Sequence, residues 1–214
     1  MKLSILILAI MFTSMSSFSQ DQVVEEQNEL AEKEHVETSQ ASQNFAQRWW
    51  NASRNKVTRI YDEGKNDFYL TLYAYHDRFT YTPEKLKELN EGAYGFGFGR
   101  SILNEKGNSE MLFAMTHLDS HSDLQVNVGY AWVKNFNFIG NSKLGVGYAA
   151  GLVSRSDFAN RIPIPFVLPM GTIDLGNGTV NLILIPKLND GINNGNVLFI
   201  FAKFSWDRKK EVTF

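Results

Sequence analysis

Three stretches between residues 93 and 154 alternate with a period of two so regularly that strands are the one regular structure they fit. AYGFGFGR sets Tyr94, Phe96 and Phe98 on one face and Gly95, Gly97 and Gly99 on the other. LQVNVGYAWV opposes Val126, Val128, Tyr130 and Trp132 to Gln125, Asn127, Gly129 and Ala131. KLGVGYAAGLV opposes Leu144, Val146, Tyr148, Ala150 and Leu152 to Gly145, Gly147, Ala149 and Gly151. One face is bulky and uncharged; the other is small. A soluble sandwich turns polar side chains outward, so this pattern fits a narrow barrel with lipid outside and a confined lumen.

Extended over the chain, the reading predicts an all-β, eight-stranded antiparallel transmembrane barrel spanning residues 66–206. Its strands are expected near 67–76, 93–103, 110–118, 124–134, 143–154, 162–170, 179–187 and 196–206. NEKGN, NFNFIGNS and DLGNG between them are short and turn-rich, as periplasmic connections are. The last three strands read as apolar on both faces, which suits a hydrocarbon chain in the lumen better than water. Pro163, Pro165, Pro169 and Pro186 cannot donate ladder hydrogen bonds, so gaps are expected there. In a membrane such gaps mark places where something enters sideways.

The amino end is organised differently. Lys2, the apolar run LSILILAIMF and small residues up to Ser19 fit a signal peptide over 1–20, too short to span about 30 Å of hydrocarbon as a helix. Residues 21–44 form an acidic linker without aromatic residues up to Gln40, where His35 is a solvated bystander. Over 45–62, Phe45, Trp49, Trp50, Val57, Ile60 and Tyr61 interleave with Arg48, Arg54, Lys56 and Arg59, as in an amphipathic helix lying on a bilayer surface. A helix packed on a soluble core is the alternative. Residues 207–214 are a charged tail. The formal charge of −2 gives no reason to expect nucleic acid, and the absence of cysteine excludes thiol chemistry and disulfides.

A barrel built from hairpins keeps both termini on one side, so odd strands end at the opposite rim. By that parity His76, Asp119 with Ser120, Arg155, and Asn189 with Asp190 gather at the outer rim. A histidine beside a hydroxyl and a carboxylate fits acyl chemistry on oxygen; a rim histidine in a purely structural barrel fits the same residues. HLDSHSD also sets His117, Asp119, His121 and Asp123 at period two, which a metal site would use, although polar rim loops often look this way. No metal or cofactor is expected.

The stretches YHDRFTYTPEK, GFGFGRSILNEKGN, LFAMTHLDS, GVGYAAGLVSR, RIPIPFVLP and IPKLNDGINNGNVLFIF, in this order, resemble the outer-membrane lipid A palmitoyltransferases. The resemblance covers the chain from about Phe45 to Trp206. It implies transfer of an acyl chain from a glycerophospholipid to a hydroxyacyl chain of lipid A, in the outer membrane, by a monomer whose active site faces the exterior. The family's essential residues match His76, Asp119 and Ser120: His76 as general base, Asp119 and Ser120 orienting the attacking hydroxyl or binding the developing oxyanion. The family's loop arginine matches Arg155.

Two departures stand out. The family measures its acyl chain against the second Gly of a Gly-Tyr-Gly in strand four, and here that stretch is Gly129-Tyr130-Ala131. The extra methyl predicts a donor about one methylene shorter than palmitate. One proline pair for lateral access is retained as Pro169 and Pro186, whereas the other matches Thr71 and Ala93, so a second opening is not expected. Two rival functions remain from the residues: a structural or adhesive barrel, and a lipid hydrolase using water as acceptor.

Overall fold

The computed structural model describes residues 43–156, 161–188 and 195–207. The expected signal peptide, the acidic linker up to residue 42, Asn189 and Asp190, and the tail beyond Asp207 lie outside them. Residues 43–63 are helical (α1), and the chain parts into two units within this helix, Met1–Asn55 and Lys56–Phe214. In the first, Phe45, Trp49 and Trp50 are exposed. In the second, Ile60 is buried, the Lys56 ammonium reaches Glu110 at 3.8 Å, and Arg100 stacks over Tyr61.

Eight strands follow: β1 Lys65–His76, β2 Gly95–Leu103, β3 Ser109–Leu118, β4 Leu124–Asn137, β5 Lys143–Ser154, β6 Ile164–Asp174, β7 Thr179–Ile185 and β8 Val197–Trp206. Each pairs antiparallel with the next, and β1 pairs with β8, closing the barrel. Closure leaves no free edge, which a lipid-exposed sheet requires. A short helix, α2 (Pro83–Glu88), sits in the β1–β2 connection; Thr82 caps it and Pro83 starts it. Thr82-Pro83 is a start signal in the sequence, but about one and a half turns carry no readable period.

The alternation sorts the side chains as expected. Phe96, Phe98, Val126, Val128, Val146 and Tyr148 face outward, while Ala131 and Ala149 are buried inward. The small inward residues make room for large ones on neighbouring strands. A Cβ on Gly97 would strike Met115 Cγ at 2.4 Å, so a side chain there would displace core packing.

The lumen differs from the expectation in one respect. The last three strands are apolar inward only in the half nearer His76; nearer the opposite end Thr172, Asn181 and Lys203 turn in. They join Asp67, whose carboxylate accepts from Ser101 Oγ at 3.0 Å, Ser205 Oγ at 2.5 Å and Tyr69 Oη at 3.2 Å. Lys203 Nζ donates to Ser101 Oγ at 3.3 Å. The end away from His76 is therefore a polar plug. Above it Tyr69, Met111, Ala131, Ala149, Met170 and Phe201 form a dry core.

Two seams are incomplete towards the rim where β1 ends. The β6–β7 ladder runs from Asp174↔Thr179 to Met170↔Ile183 and stops there, at the strand position before which Pro169 stands. The β1–β2 ladder stops at Thr71↔Gly95, although neither Thr71 nor Ala93 is proline. Beyond it the chain leaves the strand for the 77–94 connection, and Ala74 N–H is satisfied by Glu91 C=O at 2.9 Å. Strand geometry, not proline, ends that ladder.

Candidate active site

His76 enters the lumen through a β-bulge. Below it Asp67, Tyr69 and Thr71 point inward, and continued alternation would send Tyr73 and Tyr75 in and His76 out. The β1–β8 register shifts by one residue between Thr71 and Tyr73. Tyr73 and Tyr75 become exposed, and Ala74 and His76 turn in, with His76 only 1% exposed.

There His76 Nε2 lies 2.9 Å from Ser120 Oγ. Ser120 is held by a five-residue loop between β3 and β4 whose organiser is Asp119. Its Oδ1 accepts from the N–H groups of His121 (2.8 Å) and Asp123 (2.9 Å), and its backbone bonds to Asp123 and Ser122 close the turn. Ser122 takes φ +66°, the left-handed conformation that so tight a loop demands. Asp119 Oδ2 is buried with no hydrogen-bond partner.

On its other side the imidazole meets Glu91. Oε1 accepts from His76 N–H at 2.9 Å and lies 3.3 Å from Nδ1. Arg78 grips the same carboxylate with Nη1 at 2.5 Å and Nη2 at 2.8 Å, and Tyr73 Oη donates to it as well. The bidentate arginine, first among the causes, holds the Glu91 carboxyl down to about 2. Glu91 in turn pushes the Arg78 guanidinium further up. Tyr81 packs edge-on against His76 at 5.1 Å between ring centres.

These groups stand at the mouth of a cavity of about 270 Å³ that descends into the barrel between Met115, Phe166, Leu168, Ile183 and Phe199. Arg155 lines the same mouth. Below the rim His117 stacks on Phe199 and is bonded to Asn127 at 2.9 Å, one polar step in an otherwise apolar wall. The arrangement joins a base, a hydroxyl and a slot fitted to hydrocarbon.

A model of the family "Antimicrobial peptide resistance and lipid A acylation protein PagP" matches residues 56–203. The chain belongs to the PagP family. A Bordetella pertussis (strain CS) protein named "Lipid A acyltransferase PagP" is 39% identical over 158 residues, covering 74% of this chain and 85% of its own. A protein of the same name from Legionella pneumophila serogroup 1 (strain 2300/99 Alcoy) is 37% identical over 171 residues, covering 78% and 90%.

Within this PagP barrel the residues singled out from sequence fall as follows. His76, Ser120, Asp119 and Arg155 share the mouth, but Asp119 bonds its own loop and makes no hydrogen bond to His76. Gly129 and Ala131 face the lumen, yet neither lines the cavity, which stops at Phe113, one inward step above Ala131. Pro169 pairs with Tyr148 of β5 and borders the open β6–β7 seam, and Pro186 follows the end of β7. His117 and Asp119 do not converge with His121 and Asp123; among the described residues no group of three or more His, Asp or Glu could hold a metal.

Glu91 is the residue that sequence reasoning missed. Its signal was present: even strands begin at the rim where odd strands end, so the residues just before β2 belong to the same ring as His76.

Proposed function

We propose that this protein is an outer-membrane acyltransferase that moves an acyl chain from a glycerophospholipid to a hydroxyl of lipid A. The 2.9 Å contact of His76 Nε2 with Ser120 Oγ at the mouth of an apolar cavity carries this reading, and the family's name supports the acceptor. The donor's chain lies in the cavity with its ester at the rim. The acceptor hydroxyl meets Nε2, loses its proton to it, and attacks the ester carbonyl carbon. The bond to the glycerol oxygen breaks, and His76 returns the proton to that oxygen. The products are acylated lipid A and a lysophospholipid.

Ser120 gives up its bond to Nε2 as the acceptor arrives and donates to the developing oxyanion. A carboxylate can only accept, so Asp119 Oδ2 takes the hydrogen bond of the entering acceptor hydroxyl, whose hydrogen then turns to Nε2. Arg155 meets a phosphate at the mouth. The open β6–β7 seam beside Pro169 and Pro186 admits the donor, the enzyme works as a monomer, and the site faces the exterior.

Reconstitution with acyl-labelled phospholipid and lipid A tests this. Label is expected to move to lipid A and to stop moving in His76→Ala. Release as free fatty acid without acylated lipid A would make the protein a hydrolase, and transfer by His76→Ala would remove the assigned base.

A further inference from the structure

We propose that Glu91 is the positioning residue of this site: clamped by Arg78 and Tyr73, it holds His76 from the Nδ1 side and leaves Nε2 to the reacting hydroxyl. The inference rests on the acyltransferase reading above and adds a residue that the sequence motifs do not mark.

The geometry supplies the argument. An ionised carboxylate has lone pairs and no proton, so the 3.3 Å contact to Oε1 requires Nδ1 to carry the hydrogen. In the neutral ring Nε2 is then the acceptor, and the 2.9 Å partner Ser120 Oγ donates to it. The low carboxyl pKa, about 2, keeps Glu91 in that ionised form wherever the imidazole titrates. Hydroxyl, imidazole and carboxylate thus stand in a line, as in enzymes where a buried acid orients a catalytic base.

Glu91 is itself oriented by more than the imidazole. Arg78 closes a two-pronged bond on it while also donating to His76 C=O at 2.5 Å, so the clamp and the base are tied at both backbone and side chain. The neighbouring residue completes the frame: Asn90 N–H donates to Ser120 C=O at 2.8 Å, and Asn90 Nδ2 donates to Ser122 Oγ at 3.1 Å. The segment that carries Glu91 is therefore stitched to the loop that carries Ser120. A residue that merely latched the 77–94 connection would need neither the bond to Nδ1 nor this register with Ser120.

The test uses the full-length protein in vesicles with labelled phospholipid and lipid A. Glu91→Gln is expected to lower kcat about 100-fold with KM within about twofold, the scale seen when a group that orients a reactive histidine is lost. Heat-modifiable migration on gels should stay that of the folded barrel. In the His76→Ala background Glu91→Gln should cost nothing further. Ring nitrogen NMR in micelles should show the Nδ1–H tautomer of His76 in the parent and its loss in Glu91→Ala, which removes the acceptor altogether. A kcat within threefold of the parent in Glu91→Gln, while His76→Ala is inactive, overturns this inference alone. Activity in His76→Ala overturns the reading beneath it. Should Glu91→Gln fail to fold, Glu91→Asp decides: it keeps the charge but falls short of Nδ1, and should lose about tenfold in kcat; an unchanged kcat overturns the inference.

Discussion

Phe113 lies in the space that Gly129 leaves: a Cβ on Gly129 would stand 2.8 Å from Phe113 Cζ. The aromatic ring closes the cavity floor, and Ala131 lies one inward step beneath it. Phe113 should measure the acyl chain directly, and Ala131 through it, by holding the ring up from beneath. Ala131→Gly is expected to lengthen the preferred donor by about one methylene, because a packed cavity does not absorb an extra methyl. Gly129→Ala would also set its Cβ 2.4 Å from the Ala150 carbonyl, so the β4–β5 backbone must shift along with Phe113, and the preferred chain should shorten at a cost in barrel stability. Mass spectrometry of the acylated lipid A reads the chain length, and identical profiles in all three proteins would refute the ruler.

Deleting Leu72 should remove the bulge and let β1 pair with β8 in one register throughout, with Tyr73 still opposite Ile200 and His76 still opposite Val197. His76 would then stay inward and Tyr75 outward, because Leu72 and Tyr73 face the same side and losing one of them restores the alternation. The barrel is expected to fold and to keep acyl transfer. A folded but inactive deletion variant would show that the bulge does more than turn His76 inward.

Asp119 has two separable roles. Oδ1 holds the loop, and Asn keeps that acceptor, so Asp119→Asn should leave thermal stability close to that of the parent. Oδ2 becomes an NH₂ that cannot accept, and activity should fall about tenfold or more if it orients the acceptor. Asp119→Ala removes both and should also destabilise the barrel by about 1–3 kcal/mol, the cost of leaving buried N–H groups unpaired. Denaturant unfolding with parallel activity assays separates the two.

The acid limb of the rate profile should belong to His76. A carboxyl held low contributes stability above its free value of about 4.3, lost only as pH falls further. With Glu91 at about 2, its latch is constant through the range where an imidazole titrates. Glu91, Arg78 and Tyr81 stand against the ring, and Asp119 and Arg155 line the same mouth. Glu91→Gln removes a negative neighbour and leaves Arg78, so the limb should move to lower pH. An unmoved limb would assign it to another group.

At the plugged end, Asp67→Ala should cost about 1–3 kcal/mol, because the Ser101, Ser205 and Tyr69 hydroxyls would lose a buried acceptor. Transfer should be unaffected in the folded fraction, since the plug lies below the cavity. Urea unfolding in detergent measures it.

Much of the fold was legible because lipid imposes a simple rule: outward residues must be apolar and backbone groups must pair within the barrel. Phe96 and Gly97, or Trp132 and Ala131, announce their faces by size alone. The polar plug was less legible, because Lys203 and Asn181 lie in strands whose other residues are apolar, and their partner Asp67 is on β1. At the site, parity gathered His76, Asp119, Ser120 and Arg155, since it depends on strand count alone.

The amino-acid sequence by itself determined the number of strands, the lipid-facing side and the rim on which the reactive residues meet, because period and parity are properties of the chain. Which way His76 points was decided by the tertiary structure, through a one-residue shift against β8 that no local pattern records. So was the carboxylate behind it: Glu91 lies 15 residues from His76 in the chain, and only the return of the 77–94 connection onto β1, where Ala74 N–H donates to Glu91 C=O, brings it to Nδ1.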